Sequence, residues 1–261
     1  MRRLANSPSR SSREWARLVR DAAPVRIFTG VEELLRELDE AKVPSPSVVL
    51  LHHVRFAHNV GAALRCAQLL GAQGTVLLGG VAEQASRFEE ALRISMAQRH
   101  QWRLRVAATA TPATMQVLDA FKRYNYTRIC VETDTAGLSS PPTSLQQANL
   151  CGAAAFVFGA EDVGVPFEVA ESCDELISIP TLGKGSLNIS HAVALVLYER
   201  QRQLMAADGR YTEEGIETLS RLVKRVLARM EVCLHDLSVT VTTKPCLLRG
   251  RLSSAARRVT P

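Results

Sequence analysis

The sequence predicts an α/β fold, a mainly parallel sheet with helices on both faces, and two observations predict it. Apolar, β-branched runs alternate with segments of helical periodicity from residue 47 to 207. The strand-like runs are also continuous, SVVLL at 47–51 and GAAAFVFG at 152–159, as expected where both faces of a strand are covered. The composition agrees: 261 residues with 46% hydrophobic and 22% charged suit one full domain with extensions.

The elements read as follows. Residues 1–23 are polar and Arg-rich, with Trp15, Leu18 and Val19 as apolar anchors. RIFTG reads as a short strand and turn, and VEELLRELDEA as an amphipathic helix with Val31, Leu34, Leu35 and Leu38 on one face. Pro44 and Pro46 close this βα unit, so residues 1–46 are expected to form a basic extension ahead of a main domain at 47–207. Within that domain the reading is strand at 47–51, helix at 61–71 ended by Gly71, strand at 74–80, helix at 87–97 and strand at 102–107. A helix at 113–124 and strands at 127–132 and 152–159 follow. A helix at 167–172, a strand at 175–180 and a long helix from Ser190 to about Ala207 complete it. Residues 208–261 are expected to be a helical and basic C-terminal extension. There Ile216, Leu219, Leu222, Val223, Val226, Leu227 and Met230 keep helical spacing over 213–231, before a strand-like LSVTVTT.

The net charge is +6, unevenly placed: residues 1–26 and 244–261 each carry +5, which leaves the body at −4. Two basic ends on a mildly acidic body suit a polyanionic partner, or serve as solvated tails. The six cysteines, Cys66, Cys130, Cys151, Cys173, Cys233 and Cys246, form no C-x-x-C pair, so reduced thiols in a cytosolic-type compartment are expected. No apolar run approaches the ~18 residues of a membrane span, and a soluble, cytoplasmic protein is expected. The Arg- and Ser-rich start leaves a mitochondrial presequence as the alternative.

Glycine loops that might hold a nucleotide fail on position. GAQGTVLLGG precedes its strand and lacks G-x-G-x-x-G, and GKGS at 183–186 lacks the glycine and the Ser/Thr of a phosphate loop. The adjacent His52 and His53 have no partner at metal spacing, and no metal site is expected.

Three segments carry polar residues where the alternation needs only caps. In HNVGAALR (58–65), Asn59 lies at a helix start as a candidate N-cap, Gly61 permits close backbone approach and Arg65 sits further along the helix. In FGAEDVGVP (158–166), a buried strand ends at Gly159, with Glu161 and Gly164 in the following loop. In IPTLGKGSLNIS (179–190), Ser186, Asn188 and Ser190 stand at a helix entrance.

In this order the segments resemble the SpoU/TrmH family of SPOUT RNA ribose 2′-O-methyltransferases, whose motifs look like N-x-G-x-x-x-R, G-x-E-x-x-G and I-P followed by S-L-N-x-S. The likeness spans about residues 47–205. It implies a sheet whose C-terminal part passes through a loop as a deep trefoil knot, a homodimer with the active site at the subunit interface, and S-adenosylmethionine as cofactor. It implies tRNA or rRNA as substrate. Carried over by position, it gives Thr133, Gly159, Ile179, Ser186 and Leu187 as cofactor contacts, held through main-chain groups that glycines leave accessible.

In the same reading Arg65 stabilises developing charge on the ribose oxygen, since a guanidinium with a pKa above ~12 is a poor base. Glu161 holds the loop or Arg65, Ser186 and Asn188 hydrogen-bond the ribose or that network, and Asn59 orients the first motif. Two departures stand out: the loop from Pro180 to Ser186 is one residue shorter than the family's usual one, and Thr181 replaces a common Met. A catalytically silent RNA-binding or ribosome-assembly factor on the same fold is the alternative.

Overall fold

The computed structural model describes residues 25–96, 104–109, 114–133, 141–183 and 185–207. Residues 1–24, the helix and strand expected after 208, and Trp102 at the start of the expected fourth strand lie outside the described residues.

The unit at the N-terminal end is a strand, β1 (Arg26–Phe28), and a helix, α1 (Val31–Glu40), which buries Leu34, Leu35 and Leu38. The next strands and helices are β2 (Ser47–His52), α2 (Ala57–Leu69), β3 (Gly74–Leu78), a 3₁₀ turn at Gly80–Glu83, α3 (Ala85–Ser95) and β4 (Arg105–Thr109). There follow α4 (Thr114–Arg123), β5 (Thr127–Val131), β6 (Thr143–Ser144) and β7 (Ala154–Phe158). The last are α5 (Phe167–Glu171), β8 (Glu175–Ser178) and α6 (Ile189–Ala207). The 3₁₀ turn and the two-residue β6 are too short to leave a periodic signal. The helix expected from residue 61 begins at Ala57 with Phe56 at its N-cap, so Asn59 is inside the first turn and does not cap.

The strands form one sheet in the order β1-β4-β3-β2-β7-β5-β8-β6, every pair parallel. The unit around α1 thus supplies an edge strand beside β4. All six residues of β2 are buried, which accounts for its unbroken apolar text. Alternate residues serve opposite layers. Val49 and Leu51 pack with α2, α3 and α6, whereas Val48 and Leu50 pack with α1 and α4.

Gly61 serves this packing: a Cβ there would lie 2.6 Å from the Ala91 carbonyl oxygen and from Ile94 Cβ on α3. The close approach expected at Gly61 is therefore that of a neighbouring helix.

Two arginines pin the C-terminal strands. Arg128 on β5 grips Asp174, just before β8, through Nε at 2.9 Å and Nη2 at 2.6 Å. This two-point pair holds the carboxyl of Asp174 below its usual range. Arg200 on α6, 2% exposed, donates to the carbonyls of Leu150, Gly152 (2.8 Å) and Ser45 (2.5 Å), joining the helix to the entries of β7 and β2. Burial lowers its pKa to about 10, so it remains a cation at neutral pH. No helix among the described residues is long and apolar enough to cross a membrane.

Two stability effects follow. Arg200→Leu leaves three inward carbonyls without their donor, and urea unfolding is expected to show a loss of about 3 kcal/mol or more. His52, buried and hydrogen-bonded to Thr114 Oγ1 at 3.1 Å, has its pKa lowered from 6.5 to about 4, by burial first and His53 second. The unfolded chain takes a proton near pH 6.5 that the folded chain refuses until about pH 4. The contribution of neutral His52 is thus whole above pH 6.5 and lost as pH falls to 4, by up to about 3 kcal/mol. Unfolding curves at pH 7 and 4.5 are expected to differ less in His52→Gln than in the parent.

Candidate active site

A cavity of about 980 Å³ opens at the C-terminal ends of β5, β7 and β8, the edge of a parallel sheet where strand ends leave crevices between diverging loops. Three stretches line it: 131–133 after β5, 158–165 after β7 and the loop from 178 to Leu187 with the start of α6. Thr133, Gly159, Glu161, Ile179, Ser186 and Leu187 are all on its wall.

The sequence fixes the shape of the middle stretch. Ala160 and Gly164 pair antiparallel, Ala160 N–H to Gly164 O at 3.2 Å and Gly164 N–H to Ala160 O at 2.9 Å. A Cβ at Gly159 would sit 1.9 Å from Gly164 C, and Gly164 has φ +67°. The glycine pair is therefore required for the loop to fold back on itself. The loop's own backbone thus requires a glycine at 159, independently of any ligand.

Asn59 binds the three motif segments into one network. Its Nδ2 donates to Glu161 Oε1 at 2.6 Å and its Oδ1 accepts from Asn188 Nδ2 at 2.9 Å. Asn188 Oδ1 in turn accepts from the N–H (2.9 Å) and Oγ (2.7 Å) of Ser190, in the first turn of α6. A carboxylate only accepts, so Glu161 dictates which end of Asn59 faces it, and the polarity of the whole relay follows. Asn188, whose carbonyl also receives the N–H groups of His191 and Ala192, caps α6.

The second oxygen of Glu161 receives the Arg55 N–H at 3.5 Å, and the Arg55 guanidinium pairs with Asp162 at 2.7 Å. Arg65 is six residues beyond Asn59, about 240° around the helix, buried at 8% exposure and outside the cavity wall.

Sequence reasoning missed Glu132. This residue follows β5 directly, lines the cavity, and accepts the N–H groups of Thr133 at 2.9 Å (Oε1) and Val165 at 2.8 Å (Oε2). An acid immediately after a buried strand was its only signal. Among the described residues of the wall, the charged side chains are Glu132, Glu161 and Asp162. The described part of the wall thus carries negative charge. That charge favours a cationic ligand over a di- or triphosphate.

Because the fold of the 159–165 loop fills the space at Gly159, Gly159→Ala is expected to leave the sheet intact, with unchanged far-UV circular dichroism. The loop must then open, and calorimetry is expected to show ligand affinity in the cavity falling by about a hundredfold.

The sequence matches the model of the SpoU rRNA methylase family over residues 46–198. It is 32% identical over 164 residues to the 23S rRNA (guanosine-2′-O-)-methyltransferase RlmB of Photorhabdus laumondii, covering 62% of each chain. It is 30% identical over 202 residues to RlmB of Pectobacterium atrosepticum, covering 74% of this chain and 78% of that one. The chain thus spans a little under two thirds of the Photorhabdus protein's length and more of the Pectobacterium protein's. The fold is shared with the AdoMet-bound rRNA methyltransferase of Sinorhizobium meliloti, at a TM-score of 0.53 and 20% identity over 69% of this chain and 62% of that one. With the three motif segments joined by one hydrogen-bond network and a family match that takes in more than half of its residues, the chain belongs to the SpoU rRNA methylase family.

Proposed function

We propose that the protein is an S-adenosylmethionine-dependent methyltransferase acting on a ribose 2′-hydroxyl of RNA, tRNA or rRNA. The observation that carries this reading is the Asn59 relay, which ties the first motif segment to the two segments that line the cavity. Family membership and the RlmB relatives, named for ribose methylation of 23S rRNA, support the same reading. The cofactor supplies a methyl group on positively charged sulfur; on transfer the carbon–sulfur electron pair stays with sulfur and the hydroxyl proton leaves for solvent.

The chain's own residues would act as follows. Thr133, Gly159, Ile179, Ser186 and Leu187 hold the cofactor, chiefly through main-chain groups. Asn59, Glu161 and Asn188 keep the loops in register, so that acceptor and methyl can meet in line. Ser186 hydrogen-bonds the ribose. Arg65 works on the acceptor side, stabilising negative charge on the 2′-oxygen as its proton departs. Two structural readings belong to the same proposal. The first is a trefoil knot, favoured by the position of β8, which follows β5 and β6 in the chain yet lies between them. The second is a homodimer that completes the active site, favoured by Leu195, 42% exposed in mid-α6.

The test is calorimetric titration of S-adenosylmethionine into the full chain, followed by tritium transfer from labelled cofactor into total rRNA and total tRNA. Saturable binding with label in one RNA pool is the expected result and chooses the substrate. A folded protein that binds no cofactor overturns the enzyme reading in favour of a silent RNA-binding or assembly factor. In the same assay Arg65→Ala is expected to lower turnover about a hundred- to a thousandfold with cofactor affinity little changed. Near-normal turnover removes Arg65 from the mechanism.

A further inference from the structure

We propose that Glu132 is a specificity-determining residue of the cofactor cavity: its fixed negative charge makes the cavity hold the cationic methyl donor more tightly than the uncharged product left after transfer. The inference rests on the reading of the cavity as a S-adenosylmethionine site. At neutral pH that molecule carries a sulfonium, an ammonium and a carboxylate, net +1. S-adenosylhomocysteine keeps the last two and is net neutral. The two differ at the reacting centre by one methyl group and one charge, so discrimination between them is largely electrostatic.

The three carboxylates of the wall are not equivalent. Asp162 is matched by the Arg55 guanidinium at 2.7 Å and is half exposed. Glu161 is committed to Asn59 at 2.6 Å and to the Arg55 N–H. Among the described residues Glu132 accepts from neutral backbone N–H groups, those of Thr133 and Val165, so its charge is oriented with no described cation paired to it. Its position is also over-determined. A Cβ on Gly164 would lie 2.4 Å from Glu132 Oε2, so the carboxylate packs directly on the turn that the glycine forms. Two hydrogen bonds and this contact hold it between β5 and the 159–165 loop. A preorganised charge in a partly enclosed cavity interacts with a ligand cation far more strongly than one in bulk water.

The experiment is calorimetric titration of S-adenosylmethionine and S-adenosylhomocysteine into the parent protein, Glu132→Gln and Glu132→Asp, each checked for folding by circular dichroism. The parent is expected to favour the sulfonium ligand. In Glu132→Gln its affinity is expected to fall by about tenfold, with the thioether changed less than twofold, while Glu132→Asp keeps most of the preference. Equal losses for both ligands, or an unchanged ratio, overturn the proposal and leave Glu132 as a brace of the loop. Should Glu132→Gln not fold, the Asp variant and the salt dependence of the parent decide. Affinity for the sulfonium ligand alone must weaken with ionic strength; parallel curves overturn the proposal. A parent that binds neither ligand refutes the methyltransferase reading itself, an outcome distinct from binding both without discrimination.

Discussion

The amide of Asn59 is the point on which the site depends. It has a donor at one end and an acceptor at the other, and both are used: Glu161 takes the first and Asn188 supplies the second. No other side chain of this size could do both. Aspartate would set two carboxylates against each other and leucine would abandon both partners, each with a cost typical of a broken buried network. Three segments separated by about a hundred and about thirty residues in sequence are thereby held in one arrangement, and α6 receives its cap from the last member of the relay.

Around this relay the protein separates charge from shape. The shape of the cavity comes from backbone: an antiparallel pair of residues inside a loop, a glycine at positive φ, and the ends of β5, β7 and β8. The charge comes from three carboxylates with no described cation on the wall beside them. The Arg55 guanidinium lies beside the wall, paired with Asp162. The Arg200 and Arg128 contacts lie behind the site. By fixing the entries to β2, β7 and β8 they set the strand ends between which the cavity opens.

Much of this was legible in the sequence. Parallel strands covered on both faces must be apolar at every position, so SVVLL and GAAAFVFG identified themselves, and the helices between them followed from their spacing. The motif residues of the cavity wall were legible as well, because polar side chains in short connections between buried strands are costly unless used. What sequence could not supply was partnership. Asn59 looked like a cap and is a bridge, since one turn of helix separates the two roles and only the arrival of Glu161 and Asn188 decides between them. Gly61 and Gly159 were read correctly as places of close approach, but what approaches is helix α3 in one case and the loop's own backbone in the other.

The sequence by itself determined the class of fold, the approximate positions of its longer strands and helices and the family likeness, because these depend on local periodicity and on residue types at fixed intervals. Tertiary structure alone decided that β8 lies between two strands made before it, that β1 joins the sheet at its far edge, and that Glu132 faces a ligand cavity. Strand order and side-chain neighbours are settled by which surfaces bury together across a hundred residues or more of chain. A single carboxylate after a strand carries no local sign of whether it meets water or a turn of another loop.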